Sequence, residues 1–377
     1  MPNILIAGDY CPIERISQMV EKSDYSFFDE IRSVVQKADY SIVNFECPVV
    51  VDGVKPIEKC GPALRTTSKA VDSIKYAGFD CVTLANNHFR DFGDEGCLTT
   101  IKELEKQGID YVGGGINLQE ARRILIKEID GKKLAVVNFC ENEFSIATAT
   151  TPGAAPLDAV DNYHQIMEAR KVADFVLVIV HGGHEHYQLP SSRMKKLYRF
   201  FVEIGADAVV NHHQHCYSGY EFYNGKPIVY GLGNFCFDRN SKRKSIWNEG
   251  YCVSISFGEN SPHIELIPYV QCDESPNVNV VNEDNRTLFD NRIEELNTII
   301  ADDVSLQSNF DNWVEKNEKY VFSLFASYHN RYLNAAATRG YIPFPISKKE
   351  IGAILNRVCC EAHRDITLSV LDKRLKD

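Results

Sequence analysis

The sequence predicts an α/β protein with a helical appendage at its C-terminal end. Three observations predict it. Short apolar runs alternate with amphipathic helical stretches from residue 3 to about residue 235. Five of the runs lead directly into acidic, amide or imidazole side chains, as at the ligand-binding edge of an α/β sheet. From about Leu288 onward the pattern is helical alone.

The runs read as strands are Asn3–Ala7, Tyr40–Phe45, Asp80–Ala85, Lys133–Phe139, Asp174–Val180, Asp207–Val210 and Pro227–Tyr230. Between several of them lie helices with apolar residues at helical spacing. Ser26–Lys37 carries Phe27, Phe28, Ile31, Val34 and Val35. Asp94–Gln107 carries Leu98, Ile101 and Leu104 and is closed by Gly108. Met194–Ile204 carries Leu197, Phe200, Phe201 and Ile204 and is closed by Gly205. Glycine just past the last apolar position is the expected helix stop. Tyr251–Phe257 and His263–Val270 alternate apolar and polar residues, which predicts an antiparallel pair. The polar, turn-rich stretch over residues 272–286 reads as a linker. The expected division is therefore residues 1–272 and residues 287–377.

A chain of 377 residues has room for one large domain and a smaller one. A net charge of −11 offers no basic footprint for nucleic acid and disfavours an anionic membrane surface, so neither partner is expected. The opening MPNILIAGDY has no basic segment and only ILIA as an apolar stretch, so neither a signal peptide nor a membrane span is read there. A cytoplasmic location is expected. The 12 cysteines are scattered, without a CxxC pair, and Cys359–Cys360 is the one close pair. Reduced, buried thiols are expected rather than a disulfide framework.

The chemistry is concentrated at run ends. Asp9 follows the first run, Glu46 the second, and Asn86-Asn87-His88 with Asp91 the third. His181, with Glu185 behind it, follows VLVIV; His212-His213-Gln214-His215 follows AVVN. Six of the 11 histidines thus fall between residues 181 and 215. Neutral imidazole is the commonest protein metal ligand. Burying such polar groups without partners costs on the order of 2–7 kcal/mol each, so a bland core would not collect them. Carboxylate, carboxamide and imidazole without thiolate suit Zn, Mn, Fe or Ni. His213 and His215 stand two apart, which in an extended segment turns both rings to one side. The donors exceed the needs of one tetrahedral ion, and a two-metal centre bridged by Glu46 accommodates them. Such centres hold ions about 3.5–4 Å apart, activate a hydroxide and stabilise both oxygens of an in-line displacement.

These residues resemble the CapA family of poly-γ-glutamate capsule-synthesis proteins, which is similar to the calcineurin-like metallophosphatase superfamily. The resemblance runs from about Asn3 to Asp238. It rests on Gly8-Asp9, Asn44-Phe-Glu46-Cys-Pro48, GFDCVTLANNHFRDFGDEG ending at Gly96, Gly113–Gly115, His181-Gly-Gly with Glu185, His213-Gln-His215 and Gly231-Leu-Gly-Asn-Phe235. It implies a layered α/β/β/α metallophosphatase-like sandwich, two mixed sheets face to face with helices outside. It also implies roles. Asp9 and His215 would bind one metal, and Asn87, His181 and His213 the second, with Glu46 bridging where the superfamily usually has Asp. His88, oriented by Asp91, would protonate a leaving group or stabilise developing charge. One position departs from the superfamily's Asp-x-His motif, which here reads Asp9-Tyr-Cys11. Either Cys11 substitutes, or that metal has a poorer set of ligands, or it binds weakly.

Other residues are read around this site. Asn44 and Asn234 are expected to support the ligands. Glu185 is expected to orient a metal-bound histidine. His184 and His186 are either pocket or surface residues, and His212 is not read as a ligand. Arg65 and Arg90 either grip an anionic substrate or are ordinary surface arginines. Gly113–Gly115 lacks the Lys-Ser/Thr of a phosphate loop and reads as a backbone turn near the site. His164, His263, His329 and His363 are read as structural. The leading expectation is a hydrolase carrying two divalent ions, Mn, Zn or Fe. It would act on a phosphoester or on an amide or γ-glutamyl bond of an anionic small molecule or polymer. The alternatives are a metal-dependent peptide epimerase and a non-catalytic accessory subunit of capsule synthesis. The C-terminal helices are expected to serve as a lid, a partner surface or a homo-oligomer contact.

Overall fold

The computed structural model describes residues 2–258, 261–325, 328, 330–359, 363, 366–368, 370–371 and 375. His329, Cys360 and most of the terminal charged run lie outside the described residues.

The first half builds one side of the molecule by strand–helix alternation. Strand β1 (Asn3–Tyr10) leads to α1 (Glu14–Glu21) and α2 (Asp29–Val35); β2 (Tyr40–Phe45) leads to α3 (Lys69–Ala77). Strand β3 (Cys81–Thr83) leads to α4 (Gly93–Gln107) and β4 (Asp110–Val112). These four strands are parallel, in the order β1-β2-β3-β4. Residues on β1 and β2 are buried on both faces, as strands covered by layers above and below must be. Helices α1 to α4 cover one face with Ile16, Val20, Ile31, Val35, Val71, Ile74, Ile101 and Leu104.

The second half builds the other side. Two short strands, β5 (Gly114–Gly115) and β8 (Gly153–Ala154), pair with each other, and α5 (Leu118–Ala121) lies between them in sequence. Strands β6 (Leu125–Ile129) and β7 (Lys132–Cys140) form a hairpin. Helix α6 (Ala159–Val172), β9 (Phe175–His181), α7 (Ser192–Glu203) and β10 (Ala208–His212) follow. With β11 (Tyr220–Tyr223) and β12 (Lys226–Val229) they give a second mixed sheet, ordered β11-β12-β10-β9-β7-β6. The chain then returns to the first sheet. Strand β13 (Asn234–Cys236) pairs parallel to β1, and β14 (Glu249–Ser256) pairs antiparallel to β1 on its other stretch. Strands β15 (His263–Gln271) and β16 (Val278–Val280) extend that edge antiparallel. The α/β class and the antiparallel pair are as the sequence predicts, and the two mixed sheets are as the resemblance implies.

Two contacts show how closely the sheets are joined. His212 Nε2 lies 3.0 Å from the Ala7 carbonyl, bonding β10 to β1. Asn138 on β7 accepts from the Ala85 amide (2.8 Å) just beyond β3. Gly113 is required beside it: its φ is +83°, and a Cβ there would sit 1.9 Å from Asn138 Oδ1. Gly8 is required at the β1–β13 approach, where a Cβ would lie 1.9 Å from the Gly233 carbonyl oxygen.

The stretch read as a linker is built into the sheet. It contributes β16 to the edge and opens α8 (Glu283–Ala301). The polar composition misleads because β16 is an edge strand and its helix shows one face to water. The first compact unit accordingly spans Met1–Gln307, past the expected break, and the second spans Ser308–Asp377. The boundary falls within α9 (Asp303–Phe325); α10 (Arg331–Thr338) and α11 (Lys348–Cys359) follow, so the appendage is helical as expected among the described residues. No helix of the described residues is long and apolar enough to cross a membrane.

Candidate metal centre

Five parallel strands, three from one sheet and two from the other, bring their C-terminal ends to one place. Asp9 lies near the end of β1, at a register shift where β13 pairs Asp9 with Asn234. Glu46 is the residue after β2, its amide bonded to the Tyr10 carbonyl (2.9 Å). Asn87 and His88 lie in the turn after β3, where Asn86 Oδ1 accepts from the His88 amide (3.1 Å). His181 is the last residue of β9. His213 and His215 follow β10.

The last pair is not placed by an extended segment, as the spacing alone suggested. His213 and His215 both have positive φ, +90° and +55°. Non-glycine residues rarely adopt that backbone, and its cost is held at functional sites by surrounding structure. Here the His213 amide bonds to Asp9 Oδ2 (3.3 Å) and the His215 carbonyl accepts from Asn234 (3.2 Å).

Two groups of candidate ligand atoms result, each with all its atoms within 4.8 Å of one another: Glu46 with His181 and His213, and Asp9 with Glu46 and His215. Glu46 belongs to both. Its Oε1 lies 3.8 Å from His181 Nε2 and 3.7 Å from His215 Nε2. His181 Nε2 is also 3.1 Å from His213 Nδ1 and 3.1 Å from Asn87 Oδ1. Asn44 donates to Asp9 Oδ1 (2.7 Å) and lies 3.3 Å from His181 Nδ1. Asn234 Oδ1 lies 2.9 Å from His215 Nδ1. That contact makes Nδ1 the protonated nitrogen and leaves Nε2 bare toward Glu46.

The residues fit divalent cations. Both Glu46 carboxylate oxygens are buried and have no hydrogen-bond partner among the described residues. Burial pushes the Asp9 carboxyl up to about 7, and burial together with the Asp9 charge pushes Glu46 well above the usual carboxylate range. Burial holds His181, His213 and His215 below the usual imidazole range, which keeps their lone pairs available. Paired carboxylates among neutral imidazoles are stable in a dry interior when a cation sits between them.

His88 stands apart from the ligand groups. Its Nδ1 lies 2.7 Å from Asp91 Oδ2, and its Nε2 has no partner among the described residues. Asp91 is anchored in turn by the Leu64 amide (2.7 Å) and by an ion pair with Lys59, whose side chain is almost fully buried.

The family model described as "Bacterial capsule synthesis protein PGA_cap" matches residues 3–239, which hold all of these residues. The chain belongs to this family. It is 34% identical over 208 residues to "Capsule biosynthesis protein CapA" of Bacillus anthracis, covering 53% of this chain and 51% of that protein. It is 36% identical over 204 residues to "PGA biosynthesis protein CapA" of Bacillus subtilis (strain 168), covering 53% of each. The chain spans about half the length of the curated relatives it matches. A crystal structure of a hypothetical protein from Thermus thermophilus shares 14% identity at a TM-score of 0.47, covering 71% of this chain and 99% of that one.

Within this member of the PGA_cap family, the remaining sequence-predicted residues divide. Cys11 is fully buried, its thiol pushed up by burial and by Cys47, and it belongs to neither ligand group. Glu185 is exposed and makes no hydrogen bond to a site histidine among the described residues; Asn234 does the orienting expected of it, at His215. The Glu185 segment turns outward at His186, whose φ is +62°. His186 is exposed and its ring is 6.3 Å from His215, whereas His184 is half-buried and packs 6.4 Å from Tyr187. Arg90 is bound to Asp94 and the Pro152 carbonyl, and half-exposed Arg65 lies 3.8 Å from Asp52. In Gly113–Gly115, Gly113 faces Asn138 and Ala85, Gly114 faces Leu84 and Phe89, and Gly115 faces Glu120 and Ala121. Three residues near the site went unread in the sequence. Lys59 sits in an unpatterned loop, and Glu143, 3.4 Å from Asn87 Nδ2, is far away in sequence. Trp247, 4.7 Å from the His215 ring, carried one signal, since the chain has only 2 tryptophans.

Proposed function

We propose that this chain is a metal-dependent hydrolase with a two-cation centre, holding Mn, Zn or Fe. Its substrate would be an anionic molecule or polymer with a phosphoester, amide or γ-glutamyl bond. One observation supports this above the others: Glu46 is shared by both ligand groups while its two carboxylate oxygens have no hydrogen-bond partner among the described residues. Asp9, Glu46 and His215 would hold one ion, and Glu46, Asn87, His181 and His213 the other. Divalent ions so held supply Lewis acidity and lower the pKa of a coordinated water. The capsule-biosynthesis names of the Bacillus relatives support a place in anionic polymer or cell-envelope metabolism.

The chain's own residues supply proton transfer. Asp91 takes the His88 Nδ1 proton in a hydrogen bond and fixes the ring. Nε2 is then the nitrogen that exchanges a proton with the reacting group. The same tautomer presents Nε2 as an acceptor, which also suits abstraction of a proton α to a carbonyl, as in peptide epimerisation. Elemental analysis of the purified chain, followed by a panel of phosphoesters and γ-glutamyl amides with each metal, tests the proposal. About two ions per chain are expected, with Glu46→Gln losing both metal and turnover. Metal retained at wild-type content in Glu46→Gln overturns it. An isobaric product carrying deuterium from heavy water moves the chemistry to epimerisation.

A further inference from the structure

Beside the His215 end of the centre, across Trp247 and His186, stand two cations that no carboxylate of the described residues pairs with. Residues 239–244 follow shortly after β13 and carry Arg239, Lys242, Arg243 and Lys244. Two of these are consumed internally. Arg243 bonds Asp238 (3.1 Å), and Lys244 pairs with Glu274 (3.0 Å). Arg239 and Lys242 have no carboxylate partner among the described residues. Lys242 Nζ lies 3.3 Å from His186 Nε2, and the Arg239 guanidinium lies 5.9 Å from the centroid of the Trp247 ring. Trp247 packs 5.7 Å from His186 as well as against His215. Both cations are half-buried, and both lie on the His215 side of the centre.

Such cations have an unused capacity. A guanidinium presents five donors in a plane matched to an oxyanion, and the Arg239 guanidinium makes no hydrogen bond among the described residues. The chain has 52 acidic residues against 41 basic ones, so carboxylates to pair with are in excess. The contrast with Arg243 and Lys244, a few residues away and each paired with a carboxylate, marks these two as open to an outside anion.

We propose that Arg239 and Lys242 form an oxyanion-binding subsite beside the centre, for a phosphate or carboxylate that the substrate carries away from its reacting bond. As a substrate contact the subsite rests on the hydrolase reading above; as an anion site it does not. Arg239 would take the oxyanion in a two-point contact, and Lys242, steadied by His186, would supply a second charge.

The test uses the full-length, metal-loaded chain. Inorganic phosphate and glutarate are titrated calorimetrically against wild type, Arg239→Gln, Lys242→Gln and the double variant, with metal content measured for each. Wild type should bind at least one probe. Each single substitution should weaken it about tenfold or more, the scale of a charge-assisted hydrogen bond, with metal content unchanged. Tighter phosphate or tighter glutarate identifies the preferred group, and either supports the subsite. The same titration in Glu46→Gln and in chelator-treated wild type should still show binding sensitive to Arg239→Gln. Binding indifferent to both substitutions, binding of neither probe, or loss of metal on substitution overturns the proposal. If the subsite binds anions but no metal stoichiometry is found, the hydrolase reading fails and the subsite stands.

Discussion

The His88–Asp91–Lys59 arrangement divides the site's labour between residues that hold cations and one that moves protons. His88→Ala should leave metal content at wild-type level and lower turnover by about 10²- to 10⁴-fold, the usual worth of general acid–base catalysis. Lys59 acts through Asp91, not on the reacting atoms, and is a positioning residue. Its ammonium is paired with Asp91 and lies 3.3 Å from His88 Nδ1. Lys59→Met should lower kcat by roughly tenfold with KM and metal content unchanged, and Lys59→Arg should recover part of the loss, because a planar cation still pairs with Asp91. A rise in KM of the same size, or loss of metal, would show a substrate-binding or merely structural lysine. At this scale the sequence was legible where chemistry directly follows a strand. Asp9, Glu46, Asn87, His181, His213 and His215 each stand at or just after an apolar run, and the fold brings those ends together. Lys59, Glu143 and Trp247 reach the site from loops with no periodic signal, and only the tertiary fold shows them.

At the scale of elements, the segment after β13 is fixed by one buried carboxylate. Asp238 accepts from the Arg15 amide (3.0 Å) and guanidinium (2.8 Å) at the start of α1, and from Arg243. Burial alone would raise its carboxyl, but the hydrogen bonds from Arg15 and Arg243 hold it below the usual carboxylate range. A carboxyl depressed in the folded state contributes stability above its unfolded pKa, which is about 4, and that contribution fades as pH falls through the folded value. Asp238→Asn should therefore destabilise the chain at pH 7, on the order of 3 kcal/mol for breaking a buried charge cluster, and the difference from wild type should shrink in acid. Thermal melts between pH 7 and pH 3 check both statements; a gap that grows in acid contradicts the assignment. The elements themselves were legible in proportion to their apolar periodicity. Helix α4 and strands β2, β7 and β9 stand within one or two residues of their expected ends. Helix α6 is hard to read in the sequence for a physical reason. Its buried face is Asn162, Gln165, Ile166 and Ala169. Small and polar residues pack there, so the hydrophobic stripe is too weak to see.

At the scale of the whole molecule, the question is how much chain the centre needs. The family match ends at residue 239, yet β14, after that point, pairs with β1 through Asn3↔Ser256 to Ile6↔Val253. Helix α8 then covers β11. The Phe289 ring packs 5.4 Å from Tyr217 and edge-on 5.6 Å from Tyr251, and Asn297 Oδ1 accepts from the Tyr220 amide (2.7 Å). Ile293, Leu296, Ile300 and Leu306 are buried, and Lys195 on α7 bonds Asp303 (2.6 Å). Burying four or five such side chains contributes about 1.5–3 kcal/mol each, an upper bound because the unfolded chain already hides some surface. That sum is comparable to the whole stability of a typical domain, about 5–15 kcal/mol. A chain ending after residue 307 should therefore fold cooperatively and hold metal as the full chain does. One ending after residue 282, close to the break that composition suggests, should melt far lower or fail to fold. Calorimetric melts and metal content of the two truncations decide it: a stable, metal-loaded 1–282 chain would place the domain boundary at the polar stretch after all, and α8 would then be an accessory to the fold instead of part of its core.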